Sequence, residues 1–550
     1  MSMKKAVYVI GVLVIAAMMI SASIPLAAES FTEKSTDNVT VGECIIKRGE
    51  YHPQPMPCKT AQKISIPRQV SSILGTDIPI ADSSNDEVAP SIALCSGENL
   101  IAAYAIQPDI LTSGILFSYS TDMGSTWNLY ERQIEDMYDT DPAVAYRGVG
   151  NSAVACWTLG EYEAGNVVYL MPDITDTETY GGSIWQWEDN YEFSDWHNFT
   201  IAGYNSEEYP EFWGVMSYIG DSNDESINYF ATQCPWVLTD GTKWYGEGYA
   251  VCDAFLKWNY SRTTSTSIDQ STGRGYTVCD FYNDSVGTYS MAIISYPIET
   301  IWDDDAIWYT YEISGGFFAS YSRPDISVRS GSGYIACETN EKGNKDIVCF
   351  HSTDGFSTTV KTLIANSLDD ETNPSIISYG DVAQCTFIKS GNLYETHSTD
   401  NGVTWSEPIK INDQDGTVEA GWHTSELTRG GNVIWVDNRD GNSDIYFDST
   451  GVPAPVINIV EIKGGFGATA KLTNTGGADA NDIDWSITFD GPVFIGKENS
   501  GTVSIPVGGE ETIKSGFIFG IGKVTITVTA GGAMGTASGF VLGPLVLGVK

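Results

Sequence analysis

A unit of about 55 residues recurs along this chain, and no other feature limits its fold so tightly. Each copy opens on a residue followed by proline and a short apolar run, and a second apolar run follows. Ala89 to Leu94 precedes Leu100 to Tyr104, Asp141 to Tyr146 precedes Ser152 to Trp157, and Arg323 to Val328 precedes Gly333 to Cys337. Asn373 to Ser378 leads to Asp381 to Phe387 in the same way. Weaker copies start at Tyr209-Pro210, near Ser265-Thr266 and at Ala420. Fixed-period similarity of this kind means stacked or radially arranged units, each unable to bury its apolar face alone.

Each unit reads as four short strands separated by turn residues. A third strand is legible in Ile115 to Tyr119, Asp346 to Phe350 and Asn392 to Thr396, and a fourth follows a glycine-containing turn. Repeated four-stranded units predict an all-β fold, a β-propeller over 76–449. Seven blades fit the starts, with six or eight as alternatives because 210–320 is the least regular part. The last unit ends after its third strand, Asp444 to Asp448. Residues 76–90 resemble a fourth strand and connector, as in Thr362 to Pro374, so Ile78 to Ala81 is expected to complete the last blade and close the ring.

Two turns between third and fourth strands share one pattern: Ser120-x-Asp122-x-Gly124-x-Thr126-Trp127 and Ser398-x-Asp400-x-Gly402-x-Thr404-Trp405. Ser352, Asp354 and Thr358 form a degraded third copy. A carboxylate that caps backbone N–H groups, a glycine that supplies positive φ and a covering tryptophan make a stable corner, so the expected role is structural. With these Asp boxes, 76–449 resembles the sialidase-like Asp-box (BNR-repeat) propellers of exported prokaryotic proteins. The resemblance implies that the boxes mark the face opposite a working face, and that an enzyme of this fold would be a glycosidase. Sialidases of the family carry arginine two residues before the proline of inner strands. The residues here are Val88, Thr140, Glu208, Ser322 and Thr372.

Charge separates the two faces. The chain holds 29 Lys and Arg against 71 Asp and Glu, a net −42, which disfavours nucleic acid and anionic lipid as partners. Residues 453–550 hold six lysines and eight acids, so nearly all the charge lies in the propeller. Connectors on the face away from the boxes carry Asp139, Asp141, Glu207, Glu208, Asp369, Asp370 and Glu371. The turn Asp437-Asn-Arg439-Asp440-Gly441-Asn442-Ser-Asp444 adds Asp437 and Arg439, and Glu338 to Asp346 resembles it. These are the candidate binding residues. Oxygen-only donors suit Ca²⁺, and a solvated acidic rim is the other reading.

The N-terminus points to export. Lys4 and Lys5 precede an uncharged run from Ala6 to Ala28, read as a signal peptide or an N-terminal anchor, with an irregular arm over 29–75. In an oxidising compartment Cys44 with Cys58, and Cys234 with Cys252, are disulfide candidates, whereas Cys156, Cys279, Cys337 and Cys385 fall inside apolar strands as core residues.

After Val452-Pro-Ala-Pro455 the composition changes to Gly, Thr, Val and Ile, with no Cys or Arg. Residues 453–550 read as an immunoglobulin-like sandwich, and Leu472-Thr-Asn-Thr-Gly-Gly resembles CARDB-type adhesion modules. No catalytic constellation stands out. The expectation is a secreted or cell-surface protein that recognises a glycan or a protein through the acidic face, with glycoside hydrolysis at that face as the alternative.

Overall fold

The computed structural model describes most of residues 76–550. Upstream of 76 it describes only strand segments between 33 and 55, and the longer stretches outside it further on are 132–139, 187–192, 205–212, 238–243, 253–262 and 299–308. Every regular element among the described residues is a β-strand.

Seven antiparallel sheets precede one larger C-terminal sheet. Their first strands are Asp86–Leu94, Thr140–Tyr146, Phe193–Tyr204, Thr264–Asp269, Tyr321–Arg329, Glu371–Tyr379 and Ser425–Thr428. Each of these touches the next, and the seventh touches the first, so the sheets form the closed ring of a β-propeller with the first strands around its axis. Second strands are buried on both faces between neighbouring sheets, which explains their unbroken apolar runs. Leu100, Ile101, Ala102, Ala103 and Tyr104 are fully buried, as are Val433, Ile434, Trp435 and Val436.

The ring closes through Ile78–Ala81, which pairs with Asp444–Ser449 in the register Ile445↔Ala81, Tyr446↔Pro79 and Phe447↔Ile78. Closure removes the long unpaired edges that a lone last sheet would expose.

The arm before it differs from the irregular segment expected. Glu33–Ser35, Val39–Gly42, Ile46–Lys47 and Gln54–Pro55 each add a short strand to the outer edge of the fifth, fourth, third and second sheets respectively. In chain order these four strands therefore pair the sheet edges in the reverse of the order of the sheets. Strands of two to four residues leave no periodic trace in a sequence, and their partners lie hundreds of residues away.

Residues 457–547 build an antiparallel module around its own core of Leu472, Ile487, Phe489, Ile526, Val528 and Val541. The apolar tail is its last strand, Leu545–Leu547, paired with Phe540–Leu542 and Gly465–Gly467.

Candidate functional site

The residue before each proline places the site. In four first strands the register slips around this dipeptide: between Val88 and Ser91, Thr140 and Ala143, Ser322 and Asp325, and Thr372 and Ser375. Proline cannot donate to the ladder, so the strand bulges there. The preceding residue is forced into left-handed backbone: φ is 51° at Ala89, 50° at Asp141, 50° at Arg323 and 56° at Asn373. His423, at the start of the seventh copy, has φ 46° without a following proline. Left-handed conformation is costly for these residues and persists only where surrounding contacts hold it.

Two buried carboxylates do the holding. Asp280 Oδ1 accepts the Thr263 N–H at 3.0 Å and its Oδ2 accepts the Arg323 N–H at 3.2 Å. Glu338 Oε1 accepts the Asn373 N–H at 3.1 Å and also faces Arg323 Nη1 at 3.4 Å, while Lys345 Nζ lies 2.9 Å from Glu338 Oε2. Arg323 Nη1 donates in addition to Asn373 Oδ1 at 3.3 Å, and Asn373 Nδ2 donates to the Gly421 carbonyl. Burial holds the His423 imidazole below its usual pKa, against the pull of the neighbouring Asp141 charge. One end of the axis is thus ringed by a carboxylate, a guanidinium, an amide and an imidazole on equivalent backbone positions.

From this mouth a cavity of about 880 Å³ follows the axis. Its wall solves a backbone problem: the inner strands do not pair with one another, so their inward N–H groups need other acceptors. Side chains of the neighbouring strand supply them. Ser91 Oγ accepts from Val144 N at 3.0 Å, Ser265 Oγ from Ile326 N at 3.2 Å, and Ser375 Oγ from Leu427 N at 3.0 Å. Asp325 Oδ2 takes the Ile376 N–H at 2.6 Å, and its Oδ1 takes the Ser265 hydroxyl at 2.6 Å. A second tier uses Ser267 for Val328 N and Ser327 for Ser378 N, both at 2.9 Å.

Two of these clasps are acids. Burial pushes the Asp325 carboxyl up despite its donors, and pushes Glu426, bonded to Ser91 and the Ile92 N–H, up to about 8. At the far end the C-terminal module roofs the cavity with Ser486, Thr488, Thr529 and Gly531. Arg329 donates to the Gly531 carbonyl there, and burial with Arg429 nearby lowers its pKa to about 9.

The serine–aspartate turns lie at that roofed end. Ser120 Oγ accepts the Gly124 N–H at 2.8 Å, and Asp122 takes the Thr126 N–H at 2.8 Å and the Thr126 hydroxyl at 2.7 Å. Ser398, Asp400, Gly402 and Thr404 repeat the pattern at 2.9, 2.8 and 2.7 Å, and the Trp405 indole N–H closes on the Gly402 carbonyl at 3.2 Å. Trp127 is buried beside its turn.

Of the acidic-face candidates among the described residues, the structure brings only Asp141 to the mouth. Asp369 and Asp370 are exposed on a connector, and Glu371 is buried at a sheet junction. Asp437 is buried and bonded to Trp435 Nε1 and to Arg439, which also grips Asp77 at 2.6 Å; these residues tie the ring seam together. Asp139, Glu207, Glu208, Cys44, Cys58 and Cys234 lie outside the described residues, and Cys252 ends the strand Tyr249–Cys252. Cys156, Cys337 and Cys385 are buried free thiols, as are Cys95 and Cys349, and Cys279 is buried in its strand. No group of three or more His, Cys, Asp or Glu placed to hold a metal occurs among the described residues.

Sequence reasoning passed over Asn373 and His423, and saw Glu338 only as part of an acidic turn. The signal that could have found the first was the residue before the proline, one place nearer than the position compared for arginine.

No family model and no curated protein matches this chain. Among solved structures, it is similar to an α-L-arabinanase of Penicillium chrysogenum in complex with arabinobiose, at 11% identity and TM-score 0.39, over 68% of this chain and 98% of that one. It is also similar to the phage phi92 endosialidase, at 11% and 0.37 over 68% of each chain. The Aleuria aurantia lectin matches at 11% and 0.36, over 63% of this chain and all of the lectin. Likeness this low leaves ligand and activity to be argued from this chain's own residues.

Proposed function

We propose that this is an exported binding protein: a seven-bladed Asp-box propeller of sialidase-like build, followed by an immunoglobulin-like module, that recognises a polar ligand at the open mouth. The observation that carries the reading is the set of left-handed residues at equivalent positions around one end of the axis. The backbone device is constant, and the side chains on it differ: Ala89, Asp141, Arg323, Asn373 and His423. A fixed frame with varied donors and acceptors is what recognition of a hydroxyl-rich molecule needs. Glycans are therefore the favoured class, with a surface protein as the alternative partner. The Glu338 carboxylate is committed to Arg323, Lys345 and Asn373, which supports a positioning role for it rather than proton transfer.

A second reading, glycoside hydrolysis, has one observation in its favour. Glu426, with a pKa of about 8, would keep its proton at neutral pH near the carboxyl of Asp325, and a pair of carboxyls is what glycoside hydrolysis uses. A glycan array together with a panel of chromogenic glycosides decides between them. Retention without turnover, weakened by Arg323→Ala, supports recognition. Turnover abolished by Glu426→Gln supports hydrolysis.

A further inference from the structure

Two junctions between neighbouring sheets are built alike, bond for bond. Between the fifth and sixth sheets, Asn344 Nδ2 donates to the carbonyls of Ser367 at 3.1 Å and Asp369 at 2.9 Å. Glu371 N donates to the Lys345 carbonyl at 2.8 Å, and Lys345 N to Asp370 Oδ1 at 2.9 Å. At the seam between the seventh sheet and the first, Asn442 Nδ2 donates to Ser83 O at 3.2 Å and Asn85 O at 2.9 Å. Glu87 N donates to Ser443 O at 2.7 Å, and Ser443 N to Asp86 Oδ1 at 3.1 Å.

Each junction buries an aspartate of one sheet and a glutamate of the next: Asp346 with Glu371, and Asp444 with Glu87, all at most 1% exposed. Most of their oxygens are supplied with donors. Asn344 and Asn442 reach Asp346 Oδ1 and Asp444 Oδ1 at 3.4 and 2.9 Å, and Ser367 N reaches Glu371 at 3.0 Å. The Ser83 hydroxyl donates to Glu87 Oε1. Asp346 Oδ2 and Glu87 Oε2 are buried with no donor.

The surrounding charges are mostly of the wrong sign to neutralise a second carboxylate. At the seam they are Asp82, Asp86 and Asp440, with Glu419 accepting the Ser443 hydroxyl. At the other junction they are Glu341, Asp369 and Asp370 against Lys342, while Lys345 is spent on Glu338. Two carboxylates brought together out of water cannot both ionise cheaply, and one proton between them satisfies both.

We infer that each junction is latched by one proton held between its aspartate and glutamate, so that the ring is tightest in mild acid and its seam loosens as pH rises through neutrality. The electrostatics run the same way. Burial, with the Asp444 charge adding to it, raises Glu87 to about 7, and burial with Glu371 raises Asp346 to about 6. A carboxyl whose pKa is higher folded than unfolded contributes stability below its unfolded pKa, and that contribution fades as pH climbs through the folded value. The latch is independent of what the open mouth binds.

The test is the melting temperature of the full chain, of Glu87→Gln and of Asp346→Asn between pH 5 and 9, at fixed ionic strength and with chelator present. An amide keeps the donor that the proton supplied. The variants should melt with the parent near pH 5 and about 2 °C or more above it at pH 8. An offset that is the same at every pH would overturn the latch. So would a parent melting temperature at pH 8 that Ca²⁺ raises while leaving both variants unmoved, because a cation would then take the place of the proton. Should Glu87→Gln fail to fold, Asp346→Asn reads the same equilibrium at the twin junction.

Discussion

The ring of Phe447, in the third strand of the seventh sheet, fills the space directly over the α-carbon of Gly124 in the first sheet's serine–aspartate turn. Trp127 of the same turn meets Phe447 edge to face at 5.3 Å. A turn that looks local in sequence is thus one half of the ring's closing contact. Gly124 also has φ 83°, so it is fixed by both backbone and space. Gly124→Ala is expected to cost about 2–4 kcal/mol, the sum of left-handed strain and overpacking. Urea denaturation measures it, and Gly416→Ala, at φ 76° with open space around it, should cost only the strain.

Phe356 stands where the other two turns have glycine. Its φ is 69°, yet the turn keeps every bond: Phe356 N to Ser352 Oγ at 2.9 Å, and Thr358 N and Oγ1 to Asp354 at 2.9 and 2.6 Å. The strain is offset because the ring is fully buried, packed over Gly333 and edge-on to Tyr276. Phe356→Ala should cost about 3–5 kcal/mol. Phe356→Gly should be the milder change by about 1 kcal/mol, reversing the usual order of alanine and glycine.

Arg439 ties the seam. Its Nε and Nη2 fork onto Asp437 at 2.9 and 2.6 Å, Nη2 reaches Asp77 at 2.6 Å, and the guanidinium lies 4.0 Å from the Tyr446 ring centre. Burial alone would raise Asp437, but the Arg439 bonds hold it below the usual carboxylate range. That contribution is present above the unfolded pKa and is lost as pH falls through the lower folded value. Arg439→Ala leaves Asp437 buried without its cation, an expected loss of about 3–5 kcal/mol. Arg439→Lys recovers only part, since an ammonium cannot fork. Hydrogen exchange should quicken first at Ile78–Ala81, the strand beside this anchor.

Glu395 is fully buried on the third strand of the sixth sheet, and burial raises it to about 8. Its Oε1 faces His397 Nδ1 at 3.2 Å, and its Oε2 has no donor. Stability tied to this proton is whole in acid and fades as pH rises toward 8 and beyond. Glu395→Gln should therefore be more stable than the parent at pH 9, by about 1–3 kcal/mol, and close to it at pH 5. Denaturation at the two pH values checks the sign.

How far the sequence could be read depended on the range of each contact. The strand order of a unit was legible because alternation and turn residues lie within it, and Ile78–Ala81 was legible because it imitates Thr362–Ala365. The arm was not: Glu33–Ser35 earns its strand only by meeting Thr359–Lys361. Acidity was legible as composition, but not which acids are spent. Glu371 and Asp437 look like surface carboxylates until their partners, Asp346 and Arg439, are placed beside them. The mouth was half legible, because the proline that bulges each inner strand is plain in the sequence while the left-handed turn of the residue before it is not.

The most direct measurement of the central claim is a glycan array probed with the full chain and with Arg323→Ala and Asn373→Ala. Losing a polar donor at the mouth should weaken the bound glycan about 10- to 100-fold in variants that still melt cooperatively, with Arg429→Ala, at the roofed end, binding as the parent does. Equal binding by the parent and both mouth variants, or no retention of any glycan, would contradict the account.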